Sequence, residues 1–145
     1  MESTEFVCGS PDATFELGSE IGGSLTGGDV VLLYGSLGAG KTLLTKGILH
    51  ALDYDTDEVT SPSFTLVNLY KTAKFDVYHI DLWRLEGAAD AALAVGLDEI
   101  IENKRAVTIV EWADRLGGFA FPAEPIRVTI EGDGDDPRRI AIASG

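Results

Sequence analysis

A glycine-rich stretch between an apolar run and an amphipathic segment constrains this chain more than any other feature. Residues 35–42 read GSLGAGKT, which satisfies the pattern G-x-x-x-x-G-K-[ST]. The apolar run VVLLY precedes the glycines, and residues 41–52, with Leu44, Ile48 and Leu52 on one face, follow them. A strand, a glycine-rich turn and a helix in that order predict a phosphate-binding loop, or P-loop, inside an α/β fold.

Each residue type in this loop has a chemical reason. Glycines allow backbone angles that let successive amides face an anion, and the helix N-terminus adds partial positive charge. Lys41 offers an ammonium to the outer phosphates, and the Thr42 hydroxyl is a hard oxygen ligand suited to Mg²⁺. We therefore predict that the phosphates of a nucleotide bind here, together with Mg²⁺. The residues predicted to contact the nucleotide in this loop are Ser36, Leu37, Gly38, Ala39, Gly40, Lys41, Thr42 and Leu43.

Two acids are candidates for the rest of the metal site. Glu111 ends the apolar run VTIVE, and Asp81 lies in YHIDLWR. P-loop enzymes place a metal-site acid at the carboxyl end of a central strand, although aspartate is commoner there than glutamate. Other interpretations stay open, because Glu111 could be a strand-end charge in solvent and Asp81 could be an acid in a turn.

The order of apolar runs predicts an α/β fold with a mixed sheet, parallel in its centre and antiparallel at its edges, flanked by helices. Ser10 followed by proline predicts a helix start. Strands are expected in residues 65–70, 75–82 and 106–112, one helix leading into a second, shorter one in residues 86–104, and a hairpin in residues 126–144. Ligands are expected at the carboxyl ends of the central strands.

Composition limits the function classes. A chain of 145 residues predicts one domain over residues 1–145. The formal net charge of −13 disfavours strong direct binding to nucleic acid. Cys8 is the single cysteine, no segment is long enough to cross a bilayer, and the acidic N-terminus does not resemble an export signal. A cytoplasmic location is expected.

Other residues give weaker signals. Spacing alone favours a core position for Trp112, and His50 and His79 stand apart from any Cys/His cluster with metal-ligand spacing. The stretch ENKRA has alanine where the guanine-specifying pattern N-K-x-D needs an acid. Guanine specificity is therefore not predicted.

The chain resembles the TsaE family of small bacterial P-loop ATPases, which take part in the threonylcarbamoyl modification of adenosine in tRNA. Five blocks in order carry the resemblance: GDVVLLYGSLGAGKT, VTSPSFTLVNLY, YHIDLWRL, VGLDEII and IVEWADRL. The resemblance implies ATP hydrolysis that supports a TsaB–TsaD complex. It also implies catalytic roles for Lys41, Asp81 and Glu111, metal ligation by Thr42, Asp81 and Glu111, a switch segment in residues 61–65 that includes Ser63, and a site position for Trp112.

The sequence departs from the family pattern at four positions. Ser36 replaces an acid usual within the loop, Leu43 replaces a second threonine, Ser63 replaces a threonine but keeps the hydroxyl, and Ala113 replaces a frequent proline.

Two other functions remain alternatives to an ATPase. A small-molecule kinase would share the loop, but it would need a lid with clustered arginines, and the arginines here are spread out apart from the pair Arg138 and Arg139. A nucleotide-gated binding module would hold ATP tightly with little turnover.

Overall fold

The computed structural model describes residues 2–36, 38–60, 62, 65–85 and 90–144. Its framework is a seven-stranded sheet in the order β1-β7-β6-β2-β5-β4-β3. The four central strands β6, β2, β5 and β4 pair with one another in parallel, whereas the pairs β3–β4, β6–β7 and β7–β1 are antiparallel. The predicted α/β fold with a parallel centre and antiparallel edges is confirmed.

The strands are β1 Glu2–Cys8, β2 Val30–Tyr34, β3 Val67–Lys71, β4 Asp76–Asp81, β5 Ala106–Glu111, β6 Ile126–Glu131 and β7 Arg138–Ser144. The α-helices are α1 Pro11–Ser24, α2 Lys41–Ala51, α3 Ala91–Val95 and α4 Leu97–Glu102. Short 3-10 turns occupy Thr56–Glu58, Trp83–Leu85 and Ala113–Leu116.

Most of the predicted elements are present, and their local signals explain why. Ser10 caps α1 by accepting a hydrogen bond of 3.2 Å from the Ala13 amide, as the Ser-Pro pair predicts. In the alanine-rich segment, Gly96 has φ 69° and separates α3 from α4. The prediction that the second helix is shorter is wrong, since α4 has six residues and the described α3 has five.

Strand β1 was not predicted. Its residues are mostly polar and exposed, so they lack the apolar alternation that marks a half-buried strand. All seven residues of β1 pair with β7, a strand that is distant in sequence, and this pairing makes the segment a strand. An edge strand of this kind depends on tertiary pairing more than on local propensity.

The helices cover both faces of the sheet. Helices α1 and α2 pack on one face against Val31, Leu33 and Ile109, and α3 and α4 pack on the other against Leu32 and Val110. Successive residues of β2 therefore point into opposite cores, as expected for a continuous apolar strand covered on both faces.

The carboxyl ends of three parallel strands meet at one edge of the sheet. Glu111 at the end of β5 is in register with Leu33 of β2 on one side and with Asp81 of β4 on the other. The loop that leaves β2 at the same edge leads into α2. We call this region the site edge.

Close packing of α1 against α2 holds the loop helix on the sheet and gives a stability prediction. A Cβ atom added at Gly47 of α2 would lie 2.1 Å from the Phe15 carbonyl oxygen of α1. The backbone of α1 cannot move aside as a flexible side chain could, so Gly47→Ala forces the two helices apart. This cost exceeds the gain from the higher helix propensity of alanine. We expect the free energy of unfolding in urea to fall by about 2 kcal/mol.

Gly23→Ala in α1 is the matched control, because a Cβ there meets no atom within 4 Å. We expect this variant to gain about 0.5 kcal/mol through helix propensity alone. Equal stabilities for the two alanine variants would contradict the close-packing account.

Candidate functional site

The loop between β2 and α2 has the backbone that the glycine pattern predicts. Gly38 and Gly40 adopt φ of 80° and 112°, angles that a side chain would strain. Gly40 is the N-cap residue of α2, and among the described residues no side chain caps this helix N-terminus. Its amides and the positive end of the helix dipole are therefore available to an anion.

Lys41 lies folded back over its own loop. Its Nζ donates hydrogen bonds of 2.8 Å to the Gly35 carbonyl and 2.8 Å to the Ser36 carbonyl, and it lies 4.2 Å from the centroid of the Trp112 ring. Burial lowers the pKa of the Lys41 ammonium, while the carboxylates of Glu111, Asp81 and Asp114 favour the charged form. These contacts hold the Lys41 ammonium at the mouth of the loop.

Thr42 and Glu111 meet across the site edge. The Thr42 hydroxyl lies 3.3 Å from Oε1 and 3.4 Å from Oε2 of Glu111, to which it donates. The Glu111 side chain is nearly buried, with an exposed fraction of 3%. A hydroxyl and a carboxylate this close place two hard oxygen ligands beside the loop, a donor set that suits Mg²⁺.

Asp81 lies at the end of the adjacent strand and is equally buried. Its Oδ1 accepts a hydrogen bond of 2.9 Å from the Trp83 amide, which is the geometry expected of an acid in a turn. It is also the register neighbour of Glu111. One oxygen of Asp81 thus supports the turn, and the residue lies at the site edge beside Glu111.

Trp112 is a site-edge residue as well as a packed aromatic. It has φ 57°, which is uncommon for a bulky side chain. Lys41 lies over the ring, the Arg115 guanidinium carbon lies 4.9 Å from its centroid, and the Trp83 ring lies 4.8 Å away. Backbone strain of this kind is typical of functional sites.

A cavity of 350 Å³ opens beside the loop, on the side formed by the start of α1 and the β6–β7 turn. Its lining includes Ser10, Thr14, Gly38, Leu43 and Arg138. Its volume lies in the range of small-molecule sites. The cavity and the loop glycines form one continuous surface, since Gly38, Ala39 and Gly40 belong to both.

A sequence model of the family described as "Threonylcarbamoyl adenosine biosynthesis protein TsaE" matches residues 8–140. The chain belongs to the TsaE family. It is similar to proteins named "tRNA threonylcarbamoyladenosine biosynthesis protein TsaE" from Nostoc sp. and Bacillus subtilis. It is 37% identical to the Nostoc protein, covering 79% of this chain and 71% of the relative. It is 39% identical to the Bacillus protein, covering 81% and 70%.

The fold of this TsaE-family chain is similar to that of a solved structure. A crystal structure of Bacillus subtilis YdiB superposes with a TM-score of 0.78 at 30% sequence identity, covering 99% of this chain and 87% of that one. The resemblance recognised in the sequence is thereby confirmed, and so is the P-loop fold that it implied.

The site edge gathers most of the residues that the sequence pattern singled out. Lys41, Thr42, Asp81, Glu111 and Trp112 all lie there, whereas Leu37 and Ser63 lie outside the described residues. Within the described ranges, no group of three His, Cys, Asp or Glu side chains could hold a metal ion, so a cation bound by the site-edge carboxylates would also need the Thr42 hydroxyl and phosphate oxygens. No helix in those ranges is long and apolar enough to cross a membrane.

Two side chains that sequence reasoning gave no role are part of this TsaE-family site. His79 of β4 is fully buried, and its Nε2 contacts the Glu111 carboxylate. Arg138 of β7 donates a hydrogen bond of 2.9 Å to the Ala39 carbonyl and one of 3.4 Å to the Gly38 carbonyl. The one signal for His79 was its position two residues before Asp81, which places both on the same face of a strand.

Proposed function

We propose that this chain is a Mg²⁺-dependent ATPase of tRNA threonylcarbamoyladenosine biosynthesis, and that its nucleotide state controls its interaction with a TsaB–TsaD complex. One observation carries the proposal. Thr42, in the first turn of the helix that follows β2, contacts Glu111 at the end of β5. A phosphate loop beside a buried acid is the arrangement that nucleotide hydrolysis needs.

Phosphate binding is assigned to the loop amides and to Lys41. An ammonium has three N–H groups, and two of them donate to the Gly35 and Ser36 carbonyls. The third can reach a phosphate oxygen while the other two keep the loop closed around it. Ser36, Leu37, Gly38, Ala39, Gly40 and Leu43 complete the proposed contacts around the phosphates.

The metal ligands are assigned to Thr42, Glu111 and Asp81. Their hydroxyl and carboxylate oxygens fit Mg²⁺, which usually binds one or two carboxylates together with substrate phosphates. When bound, the ion supplies charge neutralisation to the phosphate oxygens in the transition state. The buried carboxylates hold their oxygens in place before the nucleotide arrives, which lowers the cost of reorganisation.

The base and ribose are assigned to the cavity beside the loop. A nucleotide whose phosphates follow the amides from Gly38 to Thr42 directs its other end to the start of α1, where Ser10 and Thr14 offer hydroxyl groups. Trp112 lies against Lys41 and directly follows Glu111, which we assign to Mg²⁺. We therefore assign it to the terminal phosphate rather than to the base.

The wider biological role rests on the family. We propose that residues 1–145 form one nucleotide-binding domain, that Ser63 belongs to a segment sensitive to the terminal phosphate, and that the protein works in the cytoplasm. The net charge of −13 supports docking on a protein complex rather than direct binding of tRNA.

The test combines ATP hydrolysis with co-purification of TsaB and TsaD in the presence of ATP, ADP or no nucleotide. We expect phosphate release and an interaction that differs among the three conditions. Binding that ignores the nucleotide would remove the regulatory role, and tight ATP binding without release would indicate a binding module. Transfer of phosphate to a metabolite would indicate a kinase.

Arg138 gives a prediction for nucleotide affinity. Its guanidinium joins the β6–β7 turn to the loop carbonyls, so Arg138→Ala should loosen both the loop and the cavity wall. Loss of a charged hydrogen bond of this kind is worth about 1.5–3 kcal/mol. We expect ADP affinity, measured by equilibrium dialysis, to fall by about 10-fold or more.

Arg139→Ala is the matched control, because Arg139 is the exposed neighbour of Arg138 on the same strand. This variant changes net charge equally and should keep the parent affinity. Equal losses in the two variants would assign the effect to charge rather than to the loop contacts.

A further inference from the structure

A polar chain runs beneath the site edge, on the face of the sheet that α1 and α2 cover. His79 has an exposed fraction of 0% and lies among the apolar residues of this core. Both ring nitrogens have polar neighbours, since Nε2 contacts Glu111 and Nδ1 lies 3.2 Å from the Tyr70 hydroxyl. A buried imidazole with both nitrogens satisfied is held in one orientation.

The direction of the His79–Glu111 contact follows from the chemistry of the partners. An ionised carboxylate only accepts hydrogen bonds, so Nε2 carries the proton and donates to Glu111 Oε2. Thr42 donates to the same carboxylate from the loop helix. The Glu111 side chain is therefore held between a donor on α2 and a donor on β4.

The other end of the chain reaches the main chain at Thr60. The Tyr70 hydroxyl lies 3.0 Å from the Thr60 carbonyl oxygen, to which Asn68 Nδ2 donates at 3.2 Å. Tyr70, Asn68 and His79 share one face of neighbouring strands, because Tyr70 pairs with Val77 and Asn68 pairs with His79. Because the Tyr70 hydroxyl has one proton, it donates either to the Thr60 carbonyl or to His79 Nδ1, which accepts when Nε2 carries the ring proton. Polar contacts thus continue from Thr60 through Tyr70 and His79 to Glu111.

We propose that Tyr70 and His79 are positioning residues that fix the Glu111 carboxylate and tie its place to the backbone of Thr60. The proposal rests on the function proposed for Glu111 in holding Mg²⁺ with the nucleotide. Without the imidazole, Glu111 loses one of its two donors and is free to rotate away from Thr42. Residues that orient a metal ligand in this way typically change metal affinity by 10- to 100-fold when they are lost.

Loss of His79 is expected to change the affinity for Mg²⁺ and not the affinity of the metal-free protein for nucleotide. Phosphate binding by the loop amides and Lys41 does not pass through His79, so nucleotide affinity without Mg²⁺ should not depend on it. A histidine that only filled the core would affect stability but not this difference. The distinction can be measured because ADP affinity can be determined with EDTA and with increasing Mg²⁺.

The experiment compares His79→Leu, His79→Gln and Tyr70→Phe with the parent protein. His79→Leu removes both nitrogens, whereas His79→Gln retains an amide N–H near the position of Nε2. For His79→Leu, we expect the Mg²⁺ concentration that gives half-maximal enhancement of ADP binding to rise by about 10-fold. The ADP affinity measured in EDTA should stay unchanged. His79→Gln should restore most of the Mg²⁺ response, and Tyr70→Phe should shift it in the same direction as His79→Leu but less.

Two controls separate the possible causes. His50→Leu replaces the exposed histidine of α2, and Tyr78→Phe removes a hydroxyl on the opposite face of β4, so both should leave the Mg²⁺ response unchanged. In the metal-free parent protein, the NMR signal of the His79 Nε2 proton should be visible through slow exchange and should move in Glu111→Gln.

The outcomes distinguish the two proposals. An unchanged Mg²⁺ response in folded His79→Leu, or in His79→Gln and Tyr70→Phe where the leucine variant does not fold, would overturn the positioning role and leave the ATPase proposal intact. A parent protein that binds no ADP would overturn the proposed function, and the positioning role with it.

Discussion

Alanine in place of Lys41 is expected to reduce ATP hydrolysis by roughly 100- to 1,000-fold, the usual effect of removing one preorganised donor from a transition state. The ammonium lies at the mouth of the loop, held by the Gly35 and Ser36 carbonyls. In the proposed function, charge on the outer phosphates would develop there. The fold should persist, because burial already disfavours this charge. Phosphate release and circular dichroism measure the two effects.

Lys46→Ala is the control, since Lys46 lies on the same helix and is only half-buried. It should hydrolyse ATP at the parent rate. Residual nucleotide affinity in Lys41→Ala is expected, because the helix amides remain. Hydrolysis at the parent rate by a folded Lys41→Ala protein would refute the role of Lys41.

Glutamine in place of Glu111 should lower turnover by about 100-fold while changing ATP affinity far less. The substitution keeps the shape of the side chain but removes its negative charge, and it places an amide where His79 and Thr42 donate. The phosphates would still bind the loop, but the cation would lose a ligand that is needed most in the transition state. Steady-state turnover and equilibrium ATP binding separate the two effects.

Glu131→Gln is the matched control for Glu111→Gln. Glu131 also ends a parallel central strand but is exposed, so it represents a strand-end charge in solvent. It should have no effect on turnover. If Glu111→Gln hydrolyses ATP at the parent rate, as Glu131→Gln should, the proposed role of Glu111 in turnover is refuted.

Local patterns predicted the parts of the site that lie close together in sequence. The loop, its helix and the strand that ends on Glu111 each carry their signal within about ten residues, where backbone propensity and apolar periodicity act. The order of the strands predicted ligands at the carboxyl ends of the central strands, and the resemblance to the family implied that Asp81 and Glu111 share one site there.

The parts that could not be predicted depend on contacts between distant residues. His79 meets Glu111 across 32 residues, and Arg138 meets Ala39 across 99. A single histidine within an apolar strand has the same sequence signature whether it packs in the core or positions a carboxylate. Strand β1 likewise acquires its order from β7.

The structure gives the location of Leu43, one of the four departures from the family pattern. Leu43, which stands where a second threonine is usual, lines the cavity beside the loop. Its apolar side chain covers the wall that we assign to the base and ribose. A Leu43→Thr variant would restore the hydroxyl without altering the loop backbone.

The central claim is that the backbone amides from Gly38 to Thr42 bind a triphosphate. Amide chemical shifts of the ¹⁵N-labelled protein, followed by NMR as ATP and Mg²⁺ are added, test it most directly. We predict that the amides of Gly38, Gly40, Lys41 and Thr42 show the largest shifts and saturate together. Amides in this loop that stay unmoved at saturating ATP would contradict the claim.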